Sequence, residues 1–380
     1  MKRTTMVLFL AVDLAPLALR ARAAPQRETR ERPIPMERNE QSPARPRKVV
    51  VAPPVTVTTG PYTSVQMNVD LDGHNIVGDA ANEPSIAVDP RQPARIATGW
   101  RQFDSISSNF RQAGWAFSHD SGATWRFPGV LEPGVFRSDP VLDADLHGRF
   151  FYYSFTDDFT CDMWLSDFSA VSWLPKIPAF GGDKAWIVAD KTSNVPGTGN
   201  VYVTWSPGVG CCGVDTFTRS LDGGFTWSPP VAVPYRVRWG NLVVDGQSNV
   251  YVAGIRGDIV DYASTLVIKS FDAKNAGASP SFPQASFVDL GGPAAVSGRA
   301  EPGGARSGCG WPQSSSNSVY LLASVDPPGG ADPLDVRFAR SDDGGVTWSA
   351  SVRVNDDAPG TDAAGSDSST VSVASAVAST

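Results

Sequence analysis

Between residues 80 and 355 the chain is a succession of short apolar runs, and one kind of run returns with an aspartate at its end. Pro84-Ser85-Ile86-Ala87-Val88-Asp89 is the first and Pro140-Val141-Leu142-Asp143-Ala144-Asp145 the second. Ala185-Trp186-Ile187-Val188-Ala189-Asp190 and Gly240-Asn241-Leu242-Val243-Val244-Asp245 follow. A second apolar run comes shortly after, as in Phe150-Phe151-Tyr152-Tyr153, Val201-Tyr202-Val203-Thr204-Trp205 and Val250-Tyr251-Val252-Ala253. Branched and aromatic residues suit a pleated surface, and no long segment carries a helical period, so these runs are predicted strands. Val319-Tyr320-Leu321-Leu322 marks the second strand of a fifth unit, whose first strand is blurred around Trp311.

A third strand in each unit leads into a turn with its own signature. Ser118-His119-Asp120-Ser121-Gly122-Ala123-Thr124-Trp125 matches Ser220-Leu221-Asp222-Gly223-Gly224-Phe225-Thr226-Trp227 and Ser341-Asp342-Asp343-Gly344-Gly345-Val346-Thr347-Trp348 at Ser-x-Asp-x-Gly-x-Thr-Trp. Ser and Asp hydrogen-bond nearby backbone, Gly takes the positive φ other residues resist, Thr favours the outgoing strand, and Trp buries a large apolar surface. Degenerate copies lie at Ser166-Asp167-Phe168-Ser169 before Trp173 and at Ser270-Phe271-Asp272 before Ser281-Phe282. Successive turns are about 50 residues apart, the length of a four-stranded propeller blade. A Gly/Pro/Ala-rich insertion near Gly291 to Gly310 stretches the last interval, and five blades are recognisable.

These turns look like Asp boxes, the repeat of sialidases and of a wider set of secreted β-propellers. The resemblance spans roughly residues 80 to 355 and implies an all-β, sialidase-like β-propeller of four-stranded blades. It also implies that Asp120, Trp125, Asp222, Trp227, Asp343 and Trp348 are structural, on the outer part of the blades and away from the pocket. Six blades are expected, with the last incomplete or closed by N-terminal strands. Val55-Thr56-Val57-Thr58 and Ser64-Val65-Gln66-Met67-Asn68-Val69 are candidates to pair with the tail, and a truncated chain is the alternative.

In a propeller the innermost strand of each blade begins at the mouth of a central channel. Counting back six residues from each strand-ending Asp gives Glu83, Asp139, Lys184 and Trp239. One step further back are Asn82, Ser138, Asp183 and Arg238, with Arg137 beside Ser138. Carboxylates, cations and an aromatic converging from separate blades suit a sugar or another small anionic ligand; solvated loop residues that pair with each other are the plainer reading. The sialidase resemblance adds a test. The family's Phe/Tyr-Arg-Ile-Pro motif falls on Ala81-Asn82-Glu83-Pro84-Ser85-Ile86, so Asn82 stands where the carboxylate-binding Arg belongs. The following Arg and acid/base Asp match Trp100-Arg101-Gln102-Phe103-Asp104, which implies Arg101 as an anion ligand and Asp104 as proton donor. Such a donor needs a pKa raised by burial or a nearby carboxylate. The family's late nucleophilic Tyr has no counterpart, because no Tyr follows Tyr320. Glu132, Arg137 and Asp139 share the next inter-blade loop and add charge without an assigned role.

Composition narrows the setting. Forty-one per cent hydrophobic residues with 36 Gly, 31 Pro and 11 Trp fit one large all-β domain of many short strands. A net charge of -7 gives no broad basic surface, so nucleic acid is not an expected partner. Residues 1–23 read as a signal peptide, with Lys2 and Arg3, an apolar run from Met6 to Leu19 too short for a membrane span, and Ala21-Arg22-Ala23 as cleavage site. Residues 24–48 read as a disordered Pro/Arg/Glu-rich linker, 49–362 as the propeller and 363–380 as a low-complexity Ala/Ser/Val tail. Secretion or a periplasmic location follows, with a monomer expected. Cys161, Cys211, Cys212 and Cys309 permit disulfides whose pairing stays open, a vicinal Cys211–Cys212 bridge among them. His74, His119 and His147 lack zinc-ligand spacing, so neither metal nor cofactor is expected, and His119 should be exposed.

Two functions therefore stand: a sialidase-type exo-glycosidase with Asp104 as acid, and a non-catalytic propeller that binds glycan or protein through the same mouth. A purely structural or assembly propeller is the third.

Overall fold

The computed structural model describes residues 50–192, 198–259, 264–294, 308–310, 318–327 and 335–356. The expected leader, linker and tail, and Trp311, lie outside the described residues.

The chain is a β-propeller, and its described residues form five four-stranded antiparallel blades, each built from strands in sequence order. Before them come β1 (Val51–Ala52), β2 (Thr56–Thr59), β3 (Tyr62–Val65) and β4 (Asn75–Ile76). Blade 1 is β5 (Ala80–Val88), β6 (Ile96–Phe103), β7 (Arg111–Ser118) and β8 (Arg126–Val130). Blade 2 is β9 (Ser138–Ala144), β10 (Phe150–Phe155), β11 (Cys161–Leu165) and β12 (Ile177–Ala179). Blade 3 is β13 (Trp186–Ala189), β14 (Val201–Thr204), β15 (Asp215–Ser220) and β16 (Val231–Ala232). Blade 4 is β17 (Arg238–Val244), β18 (Val250–Ile255), β19 (Thr265–Ser270) and β20 (Gln284–Val288). Blade 5 is β21 (Gly308–Gly310), β22 (Val319–Val325), β23 (Asp335–Ser341) and β24 (Val352–Arg353).

The predicted runs are the first and second strands of these blades. The first strand of the fifth lies just ahead of Trp311, where the pattern was blurred. The middle strands β7, β10 and β11 are buried along their whole length instead of alternating. Blades stack face to face, so both sides of a middle strand meet protein. Four apolar seams result. Trp115 and Phe117 of blade 1 meet Leu142, Phe150, Tyr152 and Trp164 of blade 2. Phe151, Tyr153 and Met163 meet Ile187, Val203 and Trp205. Tyr202 and Phe217 meet Leu242, Val252 and Ile268, and Tyr251 and Val267 meet Leu321 and Ala339. The seams need some positions without a side chain: a Cβ on Gly99 would lie 2.4 Å from the Tyr152 ring.

The Asp boxes repeat one hydrogen-bonding scheme. In blade 1 the Thr124 amide and hydroxyl donate to Asp120 at 2.9 and 2.6 Å, the Ser118 hydroxyl donates to Asp120 at 2.7 Å, and the Gly122 amide donates to Ser118 Oγ at 2.9 Å. The same bonds form around Asp222 and Asp343. In blade 4 Ser281, nine residues on, takes the threonine's place on Asp272, with its amide at 2.8 Å. Trp125 is buried, whereas Trp227 and Trp348 are half-buried against the neighbouring seams.

A second turn device was seen only as a spacing marker. Each strand-ending Asp is buried and its carboxylate accepts backbone N–H groups of the next turn: Arg91 on Asp89, His147 on Asp145, Thr192 on Asp190 and Gln247 on Asp245, all at 2.8–2.9 Å. These aspartates close the first hairpin of each blade.

The expected closing strands behave differently. Among the described residues β1 pairs with β4 and β2 with β3, as two small sheets of their own, and the expected partner in the tail lies outside the described residues. Val69 from this segment is buried with Trp100, Trp125 and Phe127, and the Phe127 amide donates to the Val69 carbonyl at 3.1 Å. Val65, Met67, Val69 and Ile76 thus find apolar cover on the outside of blade 1, whereas Val51, Val55, Val57 and Tyr62 stay exposed.

Candidate functional site

Glu83, Asp139, Lys184 and Trp239 occupy equivalent places five residues before the ends of β5, β9, β13 and β17, and all four are left-handed, with φ of 50°, 47°, 53° and 50°. The pairing of β5 with β6 slips between Asn82 and Ser85, and that of β17 with β18 between Arg238 and Asn241. Such bulges turn the strand locally and aim a side chain. A non-glycine residue at positive φ costs of order 1 kcal/mol, and its recurrence in four successive blades marks a place where backbone geometry is held by its surroundings.

These residues line one narrow cleft, with an enclosed volume of about 30 Å³. Glu83, Pro84 and Ser85 come from blade 1, Asp139, Pro140 and Val141 from blade 2, Lys184, Ala185 and Trp186 from blade 3, and Trp239 from blade 4. The box serines lie at the other end of the blades, since Ser118 pairs with Ile96 and Ser220 with Val201.

The charges at the mouth are paired. Arg101 Nη2 lies 2.7 Å from Glu83 Oε1, and its Nε donates to Asn82 Oδ1 at 2.8 Å. Lys184 Nζ lies 3.3 Å from Asp139 Oδ2 and 4.0 Å from Asp183, while the Ser138 hydroxyl donates to Asp139 at 2.9 Å. Burial alone would push the Asp139 carboxyl up, but Lys184 and Arg101 outweigh it and hold the group at about 2. Asp139 is therefore an acceptor at every ordinary pH.

Other candidate residues lie elsewhere. Arg137 is fully buried, bonded to Glu132 and to Asp162 and stacked 4.7 Å over Trp164, and does not line the cavity. It clamps the approach to β9 onto β11. Asp104 follows the end of β6, three residues past Arg101 or about 10 Å along an extended chain, and is not among the lining residues. Asp183 and Arg238 sit one residue outside the lining, with the Arg238 side chain against Gly257. Trp239 is buried with Ile255 and Ala294, so it presents little face. Trp186, which the sequence reading passed over, is half-buried and lines the cavity. Its place two residues after Lys184 was the available signal.

Two further features flank the site. Cys211 and Cys212 form a disulfide. Their loop is zipped to the segment carrying Lys184: the Cys211 amide donates to Gly181 and the Asp183 amide to Val209, both at 3.0 Å. Cys161 is a buried free thiol pushed up to about 12 by burial. At the N-terminal segment Asp70, Asp72 and His74 come together, where Asp70 accepts the Asp72 and His74 amides as a turn. His119 is exposed, its Nε2 2.7 Å from the Ser169 carbonyl. No described helix is long and apolar enough to cross a membrane.

No protein-family model matches the chain, and no curated protein does. Solved structures similar to it include a protein of unknown function from Dyadobacter fermentans, at 15% identity over 73% of this chain and 86% of that one, TM-score 0.46. A leech intramolecular trans-sialidase is 12% identical over 72% of this chain and 57% of its own, TM-score 0.47. The intramolecular trans-sialidase of Ruminococcus gnavus is 11% identical over 78% and 86%, TM-score 0.43.

Proposed function

We propose that this chain is an exported glycan-binding propeller that takes a neutral sugar across the mouth of its central cavity. The observation that carries this reading is the two ion pairs Arg101–Glu83 and Lys184–Asp139, whose Glu83, Asp139 and Lys184 stand at matching left-handed positions and line a cavity together with Trp186. Paired ions keep spare lone pairs and N–H groups that hydroxyls can meet, and an aromatic edge offers the apolar face of a sugar ring a partner. They offer no net charge to a sialic acid carboxylate, because the Arg101 fork is already taken by Glu83 and Asn82. Binding is favoured over hydrolysis because Asp139 has no proton to give a leaving oxygen. The sialidase-type reading rests on Arg101 with Asp104 as the acid.

Titration of the full chain with neutral oligosaccharides and with sialosides tests this. Wild type is expected to bind a neutral sugar, to lose about tenfold in affinity in Trp186→Ala, the scale of one aromatic contact, and to release no sugar from aryl glycosides. Sialic acid release that disappears in Asp104→Asn establishes the hydrolase instead. Absence of binding to any glycan leaves the structural role.

A further inference from the structure

The end of the blades that carries the Asp boxes has a different electrostatic character. There Asp89, Arg91, Gln92, Arg95, His147 and Phe168 line an open groove of about 690 Å³, where blade 1 meets blade 2. Its one carboxylate is spent internally: Asp89 is buried and its Oδ1 accepts the Arg91 and Gln92 amides at 2.8 and 3.2 Å. Gly148 stands directly against that carboxylate, and a Cβ there would lie 2.5 Å from Oδ2. This close approach draws the first hairpin of blade 2 onto that of blade 1 and brings His147 beside the arginines.

The cations of the groove are less neutralised than those of the mouth. Arg95 Nη1 donates to the Phe168 carbonyl at 3.0 Å and is 3.9 Å from Asp89 Oδ2. The Arg91 guanidinium and the His147 ring make no hydrogen bond or ion pair among the described residues. The Phe168 ring is 50% exposed, and behind it Arg149 sits between Phe168 and Phe225 at 5.3 and 5.4 Å. On a chain of net charge -7 this is a local positive site with an aromatic wall.

We propose that the groove is a second binding site, for an acidic saccharide whose carboxylate or sulfate group is held by Arg91 and Arg95 while its ring lies against Phe168. A planar guanidinium grips an oxyanion with parallel hydrogen bonds, and two of them flanking an apolar face select an anion attached to a ring over a free ion. The mouth, whose cations each have a carboxylate within 3.3 Å, does not compete for it.

Calorimetric titration of the full chain with inorganic sulfate, a sulfated or uronic acid disaccharide and its neutral counterpart tests this. The acidic disaccharide should bind, more weakly as salt rises, and lose at least tenfold in the exposed-site variant Arg91→Gln and further in Arg91→Gln/Arg95→Gln. Phe168→Ala should weaken the disaccharide and leave sulfate unchanged, and Lys184→Ala should leave both unchanged. Binding of sulfate as tight as that of the disaccharide overturns the saccharide assignment. Unchanged affinity in the double arginine variant, loss in Lys184→Ala, or no binding by a folded wild type overturns the site. None of these outcomes depends on a neutral sugar binding at the mouth.

Discussion

Lys184 reaches across a blade boundary to Asp139, placing its Nζ 3.3 Å from the carboxylate over a sequence separation of 45 residues. The bond links the approach to β13 with β9 and offsets the burial that by itself raises the pKa of the carboxyl. The Asp139 carboxyl is held down from 3.8 to about 2, so its stabilising contribution is present above pH 4 and lost as pH falls through 2. The contribution is on the order of 2 kcal/mol. Asp139→Asn is expected to be less stable than wild type from pH 4 upward, with the gap closing towards pH 2. Denaturant midpoints across that range check it, and a gap independent of pH counts against the pairing.

Asp222→Ala removes the acceptor of the Ser220 hydroxyl, the Phe225 and Thr226 amides and the Thr226 hydroxyl. Burial raises the Asp222 pKa less than the Thr226 and Ser220 bonds lower it, so the ionised form is the one the turn holds. The variant should lose about 1–2 kcal/mol, as expected for partly exposed hydrogen bonds, and keep its ligand affinity. Melting temperature and calorimetry together decide this; unchanged melting with lost binding would place the box in the site.

Gly99→Ala would set a Cβ 2.4 Å from the Tyr152 ring and 2.6 Å from Leu142, in the seam between blades 1 and 2. Neither neighbour is a flexible surface group, so overpacking of about 1–3 kcal/mol is expected. Equilibrium unfolding measures it, and a neutral result would show that the seam can open.

Reduction of Cys211–Cys212 by a dithiol should loosen the loop that zips onto Gly181 and Asp183 without unfolding the blades. The Asp183 and Cys211 amides are expected to exchange hydrogen at least tenfold faster after reduction, while amides of β10 keep their protection. Equal exchange in both states would mean that the backbone bonds alone hold the loop.

The sequence by itself determined the blade. Turn chemistry is local: a Ser, an Asp two residues on, a Gly and a Thr carry every atom the Asp-box bonds require, so the period and the five blades could be read directly. Glu83, Asp139, Lys184 and Trp239 were located by the same register, because each stands a fixed number of residues before the Asp that closes its inner strand. Tertiary structure decided how those residues are used. At Glu83, Asp139 and Trp239 the left-handed backbone coincides with an irregularity against the second strand, and the charge state depends on which blade faces which. Arg137, two residues before Asp139 and just ahead of β9, turned inward to Glu132 and Asp162. Trp239 was buried by Ala294 of a later segment, and Trp186 took the rim instead. The N-terminal strands found their partners in each other, and Val65, Val69 and Ile76 found apolar cover on Trp100 and Trp125. The Arg137–Asp162, Lys184–Asp139 and Trp239–Ala294 contacts join residues tens of positions apart, where spacing along the chain carries no information about which group meets which.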